Sequence, residues 1–154
     1  MTSRWLFKSE AHTWSWDQQV AKGAAGQEWD GVRNFQARNT MKAMRIGELG
    51  FFYHSGDIKA VVGVVEVIAE AHPDSTAADS GADSGADSGA EKPRWYCVDI
   101  RAVAPFPEPV TLQRIKADPR LAEMVLVRNS RLSVQPVTDE EWRIVCGLGG
   151  YAGP

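Results

Sequence analysis

Residues 29 to 34, Trp-Asp-Gly-Val-Arg-Asn, combine the side chains that a flat polar ligand needs. Trp29 offers a stacking face, worth about 1–3 kcal/mol per base in single-strand binders. Gly31 allows close backbone approach. The Asn34 amide both donates and accepts, which matches the edge of a nucleobase. On local evidence alone the same residues also read as a core Trp, a turn and an Asn N-cap. Lys8-Ser9-Glu10 ends an apolar run and can line a strand-end mouth or form a plain loop. Arg128 to Ser133 (RNSRLS) is a third polar stretch, with Ser130, Arg131 and Ser133 as hydrogen-bonding groups. Asn34, Arg38, Lys42 and Arg45 share one helical face, and no acid occurs between Gly31 and Gly47. Such a stripe can follow a phosphate backbone or simply face water.

Catalytic signatures are absent from the sequence. His12, His54 and His72 are the three imidazoles, and neither GxSxG nor HExxH occurs. Ser9, His54 and Asp57 form a triad only on paper. Tyr53 and His54 follow a strand-like run and are expected at a rim. Cys97 and Cys146 belong to no CxxC or Cys/His spacing, so no metal site and no cofactor are expected. They read as buried thiols of a reducing compartment.

The elements that must position these groups follow from pattern. Arg4 to Lys8 reads as a first strand. Ser15 and Gln18 form a capping box for a helix from Trp16 to Lys22. A second helix runs from Asn34 to Arg45, with Ala37, Met41 and Met44 on its apolar face. Phe51 to His54 and Ala60 to Ala71 are strands, the second with Gly63 at a bulge or close approach. Arg94 to Ala104 alternates Trp95, Cys97 and Asp99 against Tyr96, Val98 and Ile100, which predicts a strand with one wet face. Thr111 caps a short helix to Lys116, and a helical turn follows over residues 119–125. Arg131 to Val137 is a closing strand. Thr138, Glu141 and the Val137–Trp142 staple start a last helix that ends at Gly147. About five short, mostly antiparallel strands with peripheral helices predict an α+β fold built on a small β-barrel.

The 154 residues suit one domain, and burial of roughly 70% of the extended surface needs no disulfide. Six Trp is a large number for this length. The net charge of −3 is concentrated: Asp74, Asp79, Asp83, Asp87 and Glu91 lie in a tract without Lys or Arg, and without them the charge is +2. That tract, residues 74–91, contains three Ala-Asp-Ser-Gly units, and a disordered insert over 74–92 is expected in a domain spanning 1–147, with a flexible tail over 148–154. Arg outnumbers Lys 11 to 6, a composition that suits phosphate and ring contacts. No signal peptide and no apolar run of about 20 residues occur, so a cytoplasmic protein without membrane contact is expected.

WLFKSE (5–10), WDGVRNFQARN (29–39), GELGFFYHS (47–55), VVGVVEVIAEAHPD (61–74), WYCVDIRAV (95–103) and RLSVQPVTDEEW (131–142), in this order, resemble the EVE domain family. The resemblance implies a PUA-like barrel of five to six strands, related to the YTH domain. It also implies a noncatalytic module that binds a modified base in DNA or RNA, with the flipped base held between strand ends and the second helix. By that resemblance Trp29 is the stacking wall, and Ser9, Gly31, Val32, Asn34, Ser130 and Ser133 contact the base. Lys8, Glu10, Tyr53 and His54 form the rim, while Arg33, Arg38, Asn39, Lys42 and Arg131 meet phosphate. The family's Pro after Lys-Ser-Glu is replaced by Ala11. Two other readings stay open: a nucleotide-processing enzyme using His54 or Glu10, and a Trp-rich protein-interaction module.

Overall fold

Alternation along the first strand sets the layering. Strand β1 (Arg4–Glu10) sends Trp5 and Phe7 into one apolar cluster and Leu6 into another. Strand β3 (Leu49–Ser55) does the same, with Phe52 against Phe51 and Tyr53. Period-two side chains thus feed two cores, one on each face of a single sheet. A computed structural model describes residues 3–75, 95–129 and 131–153.

The remaining elements in chain order are α1 (Trp16–Ala21), β2 (Gln27–Glu28), α2 (Phe35–Lys42), β4 (Ala60–Pro73) and β5 (Tyr96–Thr111). They are followed by α3 (Leu112–Ala117), α4 (Val125–Arg128), β6 (Val134–Val137) and α5 (Asp139–Gly149). The six strands run in the order β2-β5-β4-β3-β1-β6. Among the described residues the β1–β3 pair is parallel and the other ladders are antiparallel. Among the described residues no ladder joins the edges β2 and β6, so the expected barrel is present as a PUA-like sheet that hydrogen bonds do not close. Helix α2 covers one face with Ala37 and Met41; α3, α4 and α5 cover the other with Ile115, Leu126, Trp142 and Val145.

The expected caps form. Ser15 and Gln18 exchange hydrogen bonds of 3.0 and 2.9 Å, Thr138 and Glu141 of 3.1 and 3.0 Å, and Thr111 accepts from the Arg114 N–H at 3.1 Å. Strand β5 differs from expectation in two ways. Cys97, Val98 and Ile100 are all buried, because both faces are covered there. The strand also continues past Ala104 to Thr111. Val61 pairs with Val110 while Gly63 pairs with Pro105, so Phe106 to Pro109 form a wide bulge that tolerates prolines without ladder donors. At the C-terminus α5 passes Gly147, ends at a left-handed Gly150, and Tyr151 stacks on Phe106 with 5.7 Å between ring centres. The Ala-Asp-Ser-Gly units lie outside the described residues, but Asp74, expected in that insert, is buried. No described helix is long and apolar enough to cross a membrane.

Gly63 serves both purposes foreseen for it. The register shifts beside it, and a Cβ there would lie 2.5 Å from the Trp16 ring, which is held edge-on to Phe52. Gly63→Ala is expected to lower stability by about 1–3 kcal/mol through overpacking. Gly147→Ala, in open helical space, is expected to raise it by about 0.5–1 kcal/mol. Urea unfolding of both variants checks the contrast, and an undiminished Gly63→Ala would contradict the packing.

Candidate nucleic-acid interface

Because β1 and β3 are parallel, their carboxyl ends reach one rim, where Glu10 pairs with Ser55. Beside this rim lies a cavity of about 590 Å³. Lys8, Ser9 and Glu10 border it from β1, Thr13 and Trp14 from the following turn, and Gln27 and Glu28 from β2. Trp29 to Arg33 form the facing loop, and Arg131 and Ser133 approach from the β6 side. The Lys8 N–H donates to the Ser133 carbonyl at 2.9 Å, which fixes that junction.

A buried carboxylate shapes the loop. Asp74, at the end of β4, accepts from the Gly31 N–H at 2.8 Å and from the Arg33 guanidinium at 3.2 Å. Its own N–H donates to the Trp95 carbonyl at 3.0 Å. Gly31 has φ +81°, a conformation glycine adopts without strain. The Trp29 N–H donates to the Val98 carbonyl at 2.8 Å, joining the loop to β5.

The tryptophans divide the cavity wall differently from expectation. Trp29 borders the cavity, but it is only 7% exposed and sits edge-on to Phe7 and Phe52 at 5.3 and 5.7 Å. It therefore presents a strip of ring, with most of the indole in the core. Trp14, which sequence reasoning overlooked, is half-buried in the same wall. Its Nε1–H donates to Gln19 Oε1 at 2.9 Å, and the fully buried Gln19 donates through Nε2 to the Ile100 carbonyl at 3.1 Å. The Ser9 hydroxyl donates to the Trp14 carbonyl at 2.9 Å. A polar residue on the buried side of α1 was the signal for this support.

Lys8, Ser9, Glu10, Trp29, Gly31, Val32, Arg33, Arg131 and Ser133 thus meet at one cavity. Asn34, Tyr53, His54, Arg38, Asn39 and Lys42 do not border it, and Ser130 lies outside the described residues. Asn34 caps α2, its Oδ1 accepting from the Ala37 N–H at 2.8 Å. Tyr53 is in the core, where burial pushes its phenol up to about 12. His54 Nε2 accepts from the Trp16 N–H at 3.2 Å, so Nδ1 carries the proton and donates to the Ser9 carbonyl at 3.2 Å. Both ring nitrogens are committed to structure, which leaves the Ser9-His54-Asp57 triad without a base. Arg38 bonds the Asn39 amide and lies over Phe35; Lys42 lies over Tyr96. Glu28 and Thr13 are further lining residues absent from the sequence reading, and Asp30, which lies within the Trp29–Asn34 stretch but had no role there, lines the cavity too.

The wall mixes charges. Desolvation holds the Lys8 ammonium below its ordinary range. Asp30 is raised above its usual 3.8, first by desolvation, then by Asp74 and Glu28, against the pull of Arg33. An acid raised in the folded state costs nothing below its unfolded pKa. It then destabilises as pH climbs through that value, fully so above the folded pKa. Asp30→Asn is therefore expected to raise Tm at about pH 7 and to leave it unchanged at about pH 3, where both forms are neutral. Thermal unfolding at the two pH values checks this; equal shifts would contradict it.

Comparison with known proteins agrees with this architecture. The EVE domain family model matches residues 3–148. A protein of Agrobacterium tumefaciens is 54% identical, with TM-score 0.89 over 99% of this chain and 97% of its own. Human thymocyte nuclear protein 1 is 34% identical over 96% of this chain and 74% of its own length. The crystal structure of human THYN1 protein in complex with 5-methylcytosine-containing DNA has TM-score 0.87 at 32% identity, over 99% of this chain and 100% of that one. A YTH domain of Zygosaccharomyces rouxii, TM-score 0.54 and 16% identical over 99% of this chain and 87% of that one, shares the fold alone. With the family model matching nearly the whole chain, this protein belongs to the EVE domain family.

Proposed function

We propose that this protein binds nucleic acid by holding one flipped, modified base in the cavity at the β1 and β3 ends, without chemical turnover. The observation that carries the reading is the cavity itself. It joins two indoles, backbone groups of a glycine turn and ionisable side chains at one rim. Its volume of about 590 Å³ lies in the usual ligand-pocket range of about 300–1,000 Å³. The solved complex of a relative with 5-methylcytosine-containing DNA supports the same class of ligand.

Within this reading Trp14 gives the principal stacking face and Trp29 the floor. Ser9, Ser133 and the backbone at Gly31 and Val32 bond the base. The carboxylate of Asp30 accepts from an exocyclic amine, as carboxylates do from cytosine N4. Lys8, Arg33 and Arg131 meet the flanking phosphates, and Arg38, Asn39 and Lys42 on α2 extend that track. Flipping has an unstacking cost of a few kcal/mol, which the pocket contacts must offset.

Titration with oligonucleotides that differ by one 5-methylcytosine, in DNA and RNA versions at fixed salt, tests the proposal. The modified strand is expected to bind more tightly. Trp14→Ala is expected to weaken it by about 1–3 kcal/mol while the fold stays intact. Trp29→Ala is expected to lose about 3–5 kcal/mol of stability, because it empties core volume. Unchanged affinity in a folded Trp14→Ala variant would remove the pocket assignment. Equal affinity for modified and plain strands, in every polymer tried, would remove the modified-base reading.

A further inference from the structure

Three adjacent strands bring four metal-ligating side chains to one face of the sheet. His72 on β4 stands opposite Cys97 on β5. Glu28 on β2 stands opposite Asp99 on the other side of β5. Cys97 and Asp99 are two residues apart in one strand and so share a face. Donor atoms of Glu28, His72 and Cys97 all lie within 4.8 Å of one another. His72 Nε2 is 2.8 Å from Asp99 Oδ1, while Nδ1 is 3.7 Å from Glu28 Oε2. His72 Nδ1 also approaches the Pro73 carbonyl at 3.2 Å, and Glu28 Oε1 accepts from Ser75 Oγ at 2.5 Å.

We propose that Glu28, His72 and Cys97 form a binding site for one borderline-soft divalent cation of the Zn²⁺ class, with Asp99 as positioning residue. The donor set supplies one sulfur, one nitrogen and one oxygen, the atoms that zinc prefers. Bond lengths of about 2.0–2.3 Å place tetrahedral ligands about 3.5 Å apart, so side-chain rotations close the observed spacing. Asp99 accepts from the His72 Nε2–H, so a metal-bound imidazole uses Nδ1, which exchanges its 3.2 Å contact with the Pro73 carbonyl for the ion beside Glu28. This carboxylate–histidine arrangement orients metal-bound imidazoles generally. On binding, the Cys97 thiol releases its proton to solvent, and the resulting thiolate together with the Glu28 carboxylate neutralises the two positive charges of the ion. Cys97 is buried, whereas the side chains of His72, Glu28 and Asp99 are 34%, 21% and 32% exposed, which gives the ion an entry side. An ion bound there ties the two-residue strand β2 to β4 and β5 through Glu28, which also lines the cavity.

The site does not depend on the nucleobase reading, and its test uses no nucleic acid. Chelator-treated protein is titrated with Co²⁺ and followed by visible absorption, then challenged with Zn²⁺. A thiolate-to-cobalt charge-transfer band that saturates at one equivalent and is displaced by Zn²⁺ is the expected result. Cys97→Ser is expected to abolish the band, and Cys146→Ser, in the core on the opposite face, to retain it. His72→Gln is expected to weaken binding at least about tenfold. Asp99→Asn is expected to weaken it by roughly 10–100-fold while the band keeps its shape. No band in folded wild-type protein overturns the site, as does a band that survives Cys97→Ser. Should Cys97→Ser fail to fold, unaltered Co²⁺ affinity in His72→Gln overturns it instead.

Discussion

The carboxylate of Asp74 is the constraint on which the candidate site rests. A fully buried charge is tolerable only when its partners are supplied in good geometry. Here the Gly31 N–H and the Arg33 guanidinium supply them, while the Asp74 N–H reaches the Trp95 carbonyl. One residue at the end of β4 therefore fixes the turn after β2 and the start of β5. The same bond holds Gly31 in its left-handed conformation, and that turn carries the backbone past the cavity. Arg33 also lies over Trp95, whose ring stacks on Phe35 at 4.8 Å, so the anchor continues onto α2.

A sheet with a core on each face limits what a site can use. Side chains in mid-strand are consumed by packing, as Phe7, Phe51 and Phe52 show. Polar groups that serve a ligand must then come from strand ends and turns, where the sheet no longer has a partner layer. Trp29 stands at this boundary: its ring completes the cluster around Phe7 and Phe52, and only its margin reaches the cavity. Trp14 packs against the cluster from its margin, and Gln19 holds its indole N–H. A hydrogen bond to a buried amide orients an indole without sealing it in.

Much of the architecture was legible because caps and periodicities are local. Ser15, Thr111 and Thr138 each begin the helix that their hydroxyls predict, and Gly63 marks both a register shift and a close approach. The EVE resemblance located the three stretches that meet at the cavity. Assignments inside those stretches were less legible. Asn34 carries the amide of a base reader, yet an N-cap uses the same oxygen. His54 has the chemistry of a general base, but its nitrogens are taken by backbone groups that only the fold brings near. Asp74 looked like the first acid of a solvated tract, because its partners lie about forty residues earlier in the chain. The prolines of β5 concealed a strand: Pro107 and Pro109 fall in its bulge, while Pro105 stands opposite Gly63.

Spacing motifs do not describe a group such as Glu28, His72 and Cys97. Sequence signatures for metal sites record ligands that share a turn or a hairpin, where a few intervening residues fix their separation. Here each ligand comes from a different strand, and the hydrogen-bond register sets the distance. Pairing of His72 with Cys97 and of Glu28 with Asp99 aligns four donors across β4, β5 and β2. A slip of one residue in either ladder would turn a donor to the opposite face. The Trp29 N–H bond to Val98 and the Asp74 N–H bond to Trp95 guard those two ladders at their ends. The contacts that shape the cavity wall therefore also keep the donor group in register, and the two features share one structural cause.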